Sequence, residues 1–400
     1  MVRRNGGFIG TDGLDAPDPP TGVTPTAGNA QVSIAFTAPT DAGTSAITGF
    51  VAQVSTDGTD YSAGSNTGSS SPIVVSSLTN GTAATAKVWA INAYGTSAPS
   101  DASASFTPAL QRGLFSGGLT SAGRVNVIQY ISIATTGNAQ DFGDLTVARG
   151  FTAGCSSSTR SITAGGQSGG SASDIKNEID FVTFATLGNA TDFGDLLAVT
   201  QFFGGLSNST RGVFAGNQSE NNVMQYITIA SEGNAQDFGD LTLGRSDPTG
   251  AASTTRGVFA GGDGSSGDTN IIDYITIGST GNASDFGDLT QARDRAAGAS
   301  NSTRAVFGGG FNVNIIDYIT IASTGNASDF GDLTTTAYYH GGLSSKTRAV
   351  FGGGNRASSS SNVMDYITIA STGDAADFGD LLAADEGVSD GTSNCHGGIA

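Results

Sequence analysis

The chain has 400 residues, of which 35 are acidic and 17 basic, and the resulting net charge of −18 opposes binding to nucleic acid or to an anionic bilayer. Glycine makes up 60 of the 400 residues, about double its usual share of about 7%, as suits a loop-rich, all-β chain. The two cysteines are too few for a disulfide framework and lack any metal-ligand spacing, and no apolar run is long enough to span a membrane.

Residues 1–14 include Arg3 and Arg4 but no apolar run of signal-peptide length, and are assigned as a docking segment. Residues 15–108 hold proline-bearing strand patterns separated by Gly/Ser-rich turns: 31–39 (Gln-Val-Ser-Ile-Ala-Phe-Thr-Ala-Pro), 47–50 and 87–95. These stretches resemble a fibronectin type III domain, which implies a seven-stranded sandwich used as a spacer or adhesion module. Phe36 stands where that family carries a core tryptophan, Ala84 where it carries a corner tyrosine, and no Arg-Gly-Asp occurs.

From residue 109 onward one unit recurs six times, marked by Asp-Phe-Gly-Asp-Leu beginning at Asp141, Asp192, Asp237, Asp285, Asp329 and Asp377. The spacings are 51, 45, 48, 44 and 48 residues, and a unit this short must pack against its copies. One copy predicts four strands: a at 296–300, b at 304–310, c at 315–321 and d at 329–333, joined by Gly/Asn/Ser turns that tolerate positive φ. Strand c is apolar at both odd and even positions, as expected of a strand covered on both faces. Four-stranded sheets stacked around an axis satisfy that requirement, which predicts a β-propeller.

The double glycine after strand b (Gly117-Gly118, Gly165-Gly166, Gly261-Gly262, Gly309-Gly310, Gly353-Gly354) and the strand-c tyrosine (Tyr130, Tyr226, Tyr274, Tyr318, Tyr366) resemble kelch repeats. Two departures make the unit kelch-like. Phenylalanine replaces the strand-d tryptophan, and the acidic neighbour precedes the tyrosine. The first copy starts at strand b, while residues 387–394 after the last copy resemble a strand a. The fold class is therefore all-β, a fibronectin III-like sandwich (15–108) followed by a six-bladed kelch-like propeller (109–400) closed between N- and C-terminal strands. A seventh, partial blade begun at 395–400 is the alternative.

Two sets of side chains repeat with the blades. The aspartates that open each strand d are expected to hold the preceding turns; a calcium site at each Asp-x-x-Asp is the competing reading, and six identical copies favour structure. Arg112, Arg160, Arg211, Arg256, Arg304 and Arg348 open strand b on the same face, and equal periodicity predicts Arg–Asp pairs. No catalytic residue, metal ligand or cofactor is assigned. Only His340 and His396 exist, in different repeats, and His340 reads as a strand residue. Cys155 and Cys395 read as thiols, with a closing disulfide as the alternative.

Among copies the a–b and c–d turns barely change, whereas the b–c loops (119–124, 167–177, 218–222, 263–270, 311–314, 355–362) and the d–a connections do. These two loop sets share one face, taken as the binding surface with Lys176, Asp263, Asp268 and Arg356 as its candidate residues.

A fibronectin-type domain followed by Asp-Tyr-Ile-Thr-Ile-Ala-Ser-Thr-Gly-Asn-Ala-x-Asp-Phe-Gly-Asp-Leu-Thr resembles structural proteins of tailed phages infecting marine cyanobacteria. That resemblance implies a non-enzymatic virion protein of a tail fibre or appendage, made in the host cytoplasm and released by lysis. It would join other virion proteins through its N-terminal region and display the propeller toward host-surface glycan or protein; analogy with fibres allows a homo-oligomer. The alternatives are a propeller enzyme acting on extracellular polysaccharide and a purely architectural tail or capsid protein.

Overall fold

In the computed structural model the chain is all-β, and the structure describes residues 15–28, 30–108, 110–385 and 391–399. The docking segment expected at 1–14 lies outside the described residues. Two compact units divide between Leu110 and Gln111.

The first unit holds two antiparallel sheets. One pairs Thr21–Gly28, Gln31–Thr37 and Ile73–Ser76; the other pairs Gly64–Gly68, Ile47–Ser55, Thr85–Asn92 and Gly95–Thr96. Strict alternation sends Val32, Ile34 and Phe36 from one sheet and Ala86, Val88 and Ala90 from the other into a shared core. Phe36 packs on Phe50 with ring centroids 4.8 Å apart, so the residue in the expected tryptophan position is a core residue. Trp89 faces outward instead, edge-on to Tyr61.

The second unit contains six antiparallel sheets built on the same four strands, the last of them extended by the two-residue strands Ala337–Tyr338 and Asn355–Arg356, and a small three-stranded sheet of Arg245–Ser246, Asp263–Gly264 and Gly267–Asp268. Five are continuous in sequence: Ala153–Ser156, Arg160–Ala164, Glu178–Thr183 and Thr191–Asp195; Gly204–Ser207, Arg211–Ala215, Val223–Thr228 and Gln236–Asp240; Thr249–Ala252, Arg256–Ala260, Ile271–Thr276 and Ser284–Asp288; Ala297–Ser300, Arg304–Gly308, Ile315–Thr320 and Ser328–Asp332; Gly341–Ser344, Arg348–Gly352, Ser359–Thr368 and Ala376–Asp385. The first in chain order is discontinuous: Arg112–Thr120, Gly123–Ser132 and Gln140–Asp144 take their inner strand, Thr392–Ser393, from the other end of the chain. Residues 397–399 form a 3-10 turn, so the described part of the tail does not begin a further sheet. The loop expected at 119–124 is a tight continuation of its hairpin, with Thr120 paired to Gly123.

The inner strands adjoin one another in order, and the strand at 392–393 adjoins both Gly341–Ser344 and Ala153–Ser156, so the sheets form a ring. One glycine per inner strand allows this approach. A Cβ at Gly205, Gly250, Gly298 or Gly342 would lie 2.2–2.5 Å from the carbonyl oxygen of Gly154, Gly205, Gly250 or Gly298 respectively. Serines two residues further on bridge the same strands: Ser207 Oγ donates to Ser156 O (2.8 Å), Ser344 to Ser300 O (2.7 Å) and Ser156 to Ser393 O (2.8 Å).

A second ring of bonds lies further out and explains the pentapeptide. The turn glycine and alanine of each following sheet donate to the Phe and second-Asp carbonyls of the preceding strand d, as in Gly188 N to Phe142 O (2.9 Å) and Ala190 N to Asp144 O (2.7 Å). The last sheet meets the first in the same way, through Gly137 N to Phe378 O and Ala139 N to Asp380 O, both 2.8 Å. Gly143 has φ +152° and an added Cβ would sit 2.3 Å from Gly188 O, so only glycine fits between Phe and Asp. The phenylalanines are buried edge-on against the strand-c aromatic residue, as for Tyr130 and Phe142 at 6.1 Å.

After the closing strand, residues 395–399 run across the turn-bearing end of the ring. His396 Nε2 donates to Ser156 O (3.2 Å) while its Nδ1 accepts from Gly398 N (3.1 Å), and Gly397 packs against the Asn301 carbonyl. Both cysteines are free thiols, Cys155 buried and Cys395 partly so.

Two expectations follow. Gly205→Ala should lower stability by about 1–3 kcal/mol in denaturant unfolding, because the Gly154 carbonyl cannot retreat, whereas Gly170→Ala, open to solvent, should be neutral. Burial holds His396 neutral and pushes its pKa down to about 4. The folded state therefore binds fewer protons than the unfolded state below pH ~6.5, so the stability tied to this histidine is complete above that pH and is lost as pH falls toward 4. His396→Gln should flatten the decline in melting temperature between pH 7 and 4.5 measured by calorimetry; an unchanged slope would contradict this.

Candidate functional site

The strand-b arginines do not pair with the aspartates that open strand d. Asp141, Asp192, Asp237, Asp285, Asp329 and Asp377 are all exposed, and none belongs to an ion pair among the described residues. Arg160, Arg211, Arg256, Arg304 and Arg348 instead lie 4.3–4.6 Å over the strand-c aromatic rings and donate to the carbonyl ending strand c of the next sheet, at Ile229, Ile277, Ile321, Ile369 and Ile133. Arg112 does the same with Tyr130 and the Phe184 carbonyl. The turn-holding role belongs to asparagine: Asn189 Oδ1 accepts from Asp144 N (3.1 Å), and Asp374 replaces asparagine at the equivalent place. Equal periodicity therefore does not identify the partners of either set.

A different set of arginines and aspartates does pair, in burial, three of the arginines reaching from the connection before a sheet and one from within its own sheet. Arg149 meets Asp180 (3.2 Å), Arg245 meets Asp273 (2.9 Å), Arg293 meets Asp317 (3.0 Å), and Arg356 meets Asp365. Each aspartate precedes the strand-c aromatic residue and accepts as well from the threonine after the preceding Asp-Phe-Gly-Asp-Leu, as Thr290 Oγ1 does to Asp317 (2.6 Å). Where the acceptor is Gln129 or Gln225, the donor is the backbone of a leucine, Leu382 or Leu197 (2.8 Å each), and no arginine is inserted. Arg356, expected on the binding surface, is 5% exposed. Its guanidinium occupies the place of the missing arginine at Ala337, donating to Phe351 O as Arg293 donates to Phe307 O. The signal was present: Thr/Asp/Arg and Leu/Gln alternate together when copies are compared.

The variable end of the ring carries a small, open pocket of about 40 Å³. It is built from one position repeated in successive d–a connections, three residues before the inner-strand glycine: Phe151, Phe202, Asp247, Arg295 and Tyr339. All five are in the left-handed region, with φ +60°, +59°, +52°, +57° and +54°, a conformation rare for bulky side chains. Nothing in the local sequence announces it, since none is a glycine or asparagine. Phe151, Phe202 and Tyr339 meet with centroids 4.9–5.8 Å apart. Arg295 lies 4.8 Å over Tyr339 and forms ion pairs with Asp294 (3.0 Å) and Asp247 (4.0 Å). The pocket therefore offers an apolar aromatic wall beside a charged one.

Neither histidine serves this site as a base. His340 forms the pocket floor, and its burial, with Arg356 nearby, lowers its pKa to about 3. Ser207 Oγ lies 3.4 Å from His396 at the opposite end, but that hydroxyl already donates to Ser156 O and accepts from Ser156 N. Among the other expected surface residues, Lys176 is part-exposed beside Glu178 (3.8 Å). Asp263 and Asp268 face one another across a two-residue-per-strand hairpin, Asp263–Gly264 with Gly267–Asp268.

No family model matches the chain, and no curated protein matches it significantly.

Arg293→Ala, which strands Asp317 without its partner, should cost about 3–5 kcal/mol in denaturant unfolding. The triple variant Thr290→Leu, Arg293→Thr, Asp317→Gln reproduces the arrangement of Leu197, Thr200 and Gln225 and should recover most of that loss. A triple variant no more stable than Arg293→Ala would refute the exchange.

Proposed function

We propose that residues 111–399 are a six-bladed, kelch-like β-propeller, that the first unit is a fibronectin type III-like spacer, and that the chain is a non-enzymatic structural component of a phage virion. In this reading it belongs to a tail fibre or similar appendage, and the propeller contacts envelope saccharide of the host. The observation that carries the binding role is the axial pocket. On a framework whose Asp-Phe-Gly-Asp-Leu and strand-b arginine recur in every copy, five equivalent positions hold Phe, Phe, Asp, Arg and Tyr in a strained backbone conformation. The tail covers the other end of the axis, so ligand access is at this mouth. Aromatic faces beside paired charges suit a sugar, which presents an apolar ring face and hydroxyls together. Both histidines are buried and held neutral, and the aspartates at the pocket, Asp247 and Asp294, are paired with Arg295, which favours binding over cleavage.

The test is adsorption of the purified chain to cyanobacterial envelope polysaccharide. Phe202→Ala and Arg295→Ala should each weaken binding at least about tenfold, the loss of about 1.4 kcal/mol or more, compared at a temperature where both variants remain folded. Polysaccharide chain length should be unchanged after incubation. Equal adsorption by all variants would remove the pocket from the reading, and shortened polysaccharide would replace binding with hydrolysis.

A further inference from the structure

Beside the pocket, Asp263 and Asp268 project from the hairpin of the fourth sheet, and Asp294 stands in the connection to the fifth. One carboxylate oxygen from each lies within 4.8 Å of the others, the one such grouping of three potential ligands among the described residues. We propose that these three aspartates form a divalent-cation site suited to calcium.

Charge is the first argument. Asp263 and Asp268 are direct cross-strand partners, an arrangement in which like charges destabilise a hairpin. Asp294 then adds a third carboxylate, and Arg295, which offsets them, is shared with Asp247. Coulombic repulsion from Asp263 adds to burial in raising the Asp268 pKa, and burial lifts that of Asp294 to about 6.

The independent argument is Asp294 itself. Its side chain is 3% exposed; one oxygen, Oδ2, lies 3.0 Å from Arg295 Nε in an ion pair, while Oδ1 is buried and has no hydrogen-bond partner. A buried carboxylate oxygen without a donor carries a desolvation cost that nothing in the protein returns. A cation would remove that cost and the repulsion together.

The backbone holds the three groups in place. Arg293 N donates to Thr269 O (3.2 Å), Gly262 N to Arg293 O (2.9 Å) and Phe311 N to Asp294 O (3.2 Å), tying the hairpin loop to the connection. All ligands are carboxylate oxygens, the hard donors that calcium and magnesium share. The open side at exposed Asp268 leaves room for water, and a site completed by several waters and three side chains suits calcium's flexible coordination. Occupancy would fix Asp294, and through it the Arg295 guanidinium at the pocket wall. The site does not rest on the saccharide reading.

The experiment is calorimetric titration of the full chain, stripped with EDTA and dialysed, with calcium chloride and separately with magnesium chloride. One saturable calcium site per chain is expected, with Kd on the order of 10⁻⁵–10⁻³ M, at least tenfold weaker in Asp268→Asn and lost in Asp294→Asn. Melting temperature should rise with calcium in the wild type and not in Asp294→Asn. If Asp294→Asn fails to fold, the exposed Asp268→Asn carries the test. No saturable uptake by the wild type, or uptake unaltered in these variants, overturns the site.

Discussion

The structure depends on how closely one small sheet can approach the next. Each sheet has four strands of mostly four to six residues and no second layer of its own, so its apolar faces are satisfied only by neighbours on both sides. That requirement selects glycine where inner strands touch, and glycine again where the outer strand meets the neighbouring turn. Phenylalanine fills the space between sheets, and arginine reaches across to a carbonyl left free at the end of strand c. The outer backbone bonds recur at each junction, including the one between the last sheet and the first.

The sequence made the within-sheet architecture legible. Strands b and c were marked by β-branched and aromatic runs, their turns by Gly, Asn and Ser, and the missing first strand by the position of Thr392 and Ser393 after the last copy. What it did not show was the bonding between sheets. Periodicity places Arg304 and Asp329 at the same end of the ring, but it cannot say that the guanidinium prefers the Tyr318 ring and the Ile369 carbonyl. The left-handed residues of the pocket were equally hidden, because Phe151, Phe202 and Tyr339 carry no turn signature. Their conformation is imposed by the packing of the connections around the axis.

The buried ion pairs show that the space, rather than the chain position, sets the requirement. Arg149, Arg245 and Arg293 reach their aspartates from the connection entering a sheet; Arg356 reaches Asp365 from a loop within its own sheet. Two junctions dispense with charge and use glutamine. A buried pair of this kind adds little over an uncharged alternative, but half a pair is costly. Both arrangements are complete, and no described junction shows an aspartate without its arginine. The same logic explains why Arg356, variable in sequence and placed in a loop, is part of the interior.

The pairing of Thr392–Ser393 with Gly113 and Leu114 has a consequence for biosynthesis. During translation the first sheet emerges without its inner strand, which is made about 280 residues later, a delay on the order of 14–56 s at about 5–20 residues per second. Throughout that interval the hydrogen-bonding edge of Arg112–Thr120 is unpaired, and an unpaired edge is a template for any compatible strand. On a crowded polysome the closing strand of a neighbouring nascent chain has the same sequence as the proper one. Ring closure is therefore a competition between a tethered strand and its identical copies, and exchange between chains is the characteristic error to which this architecture is open.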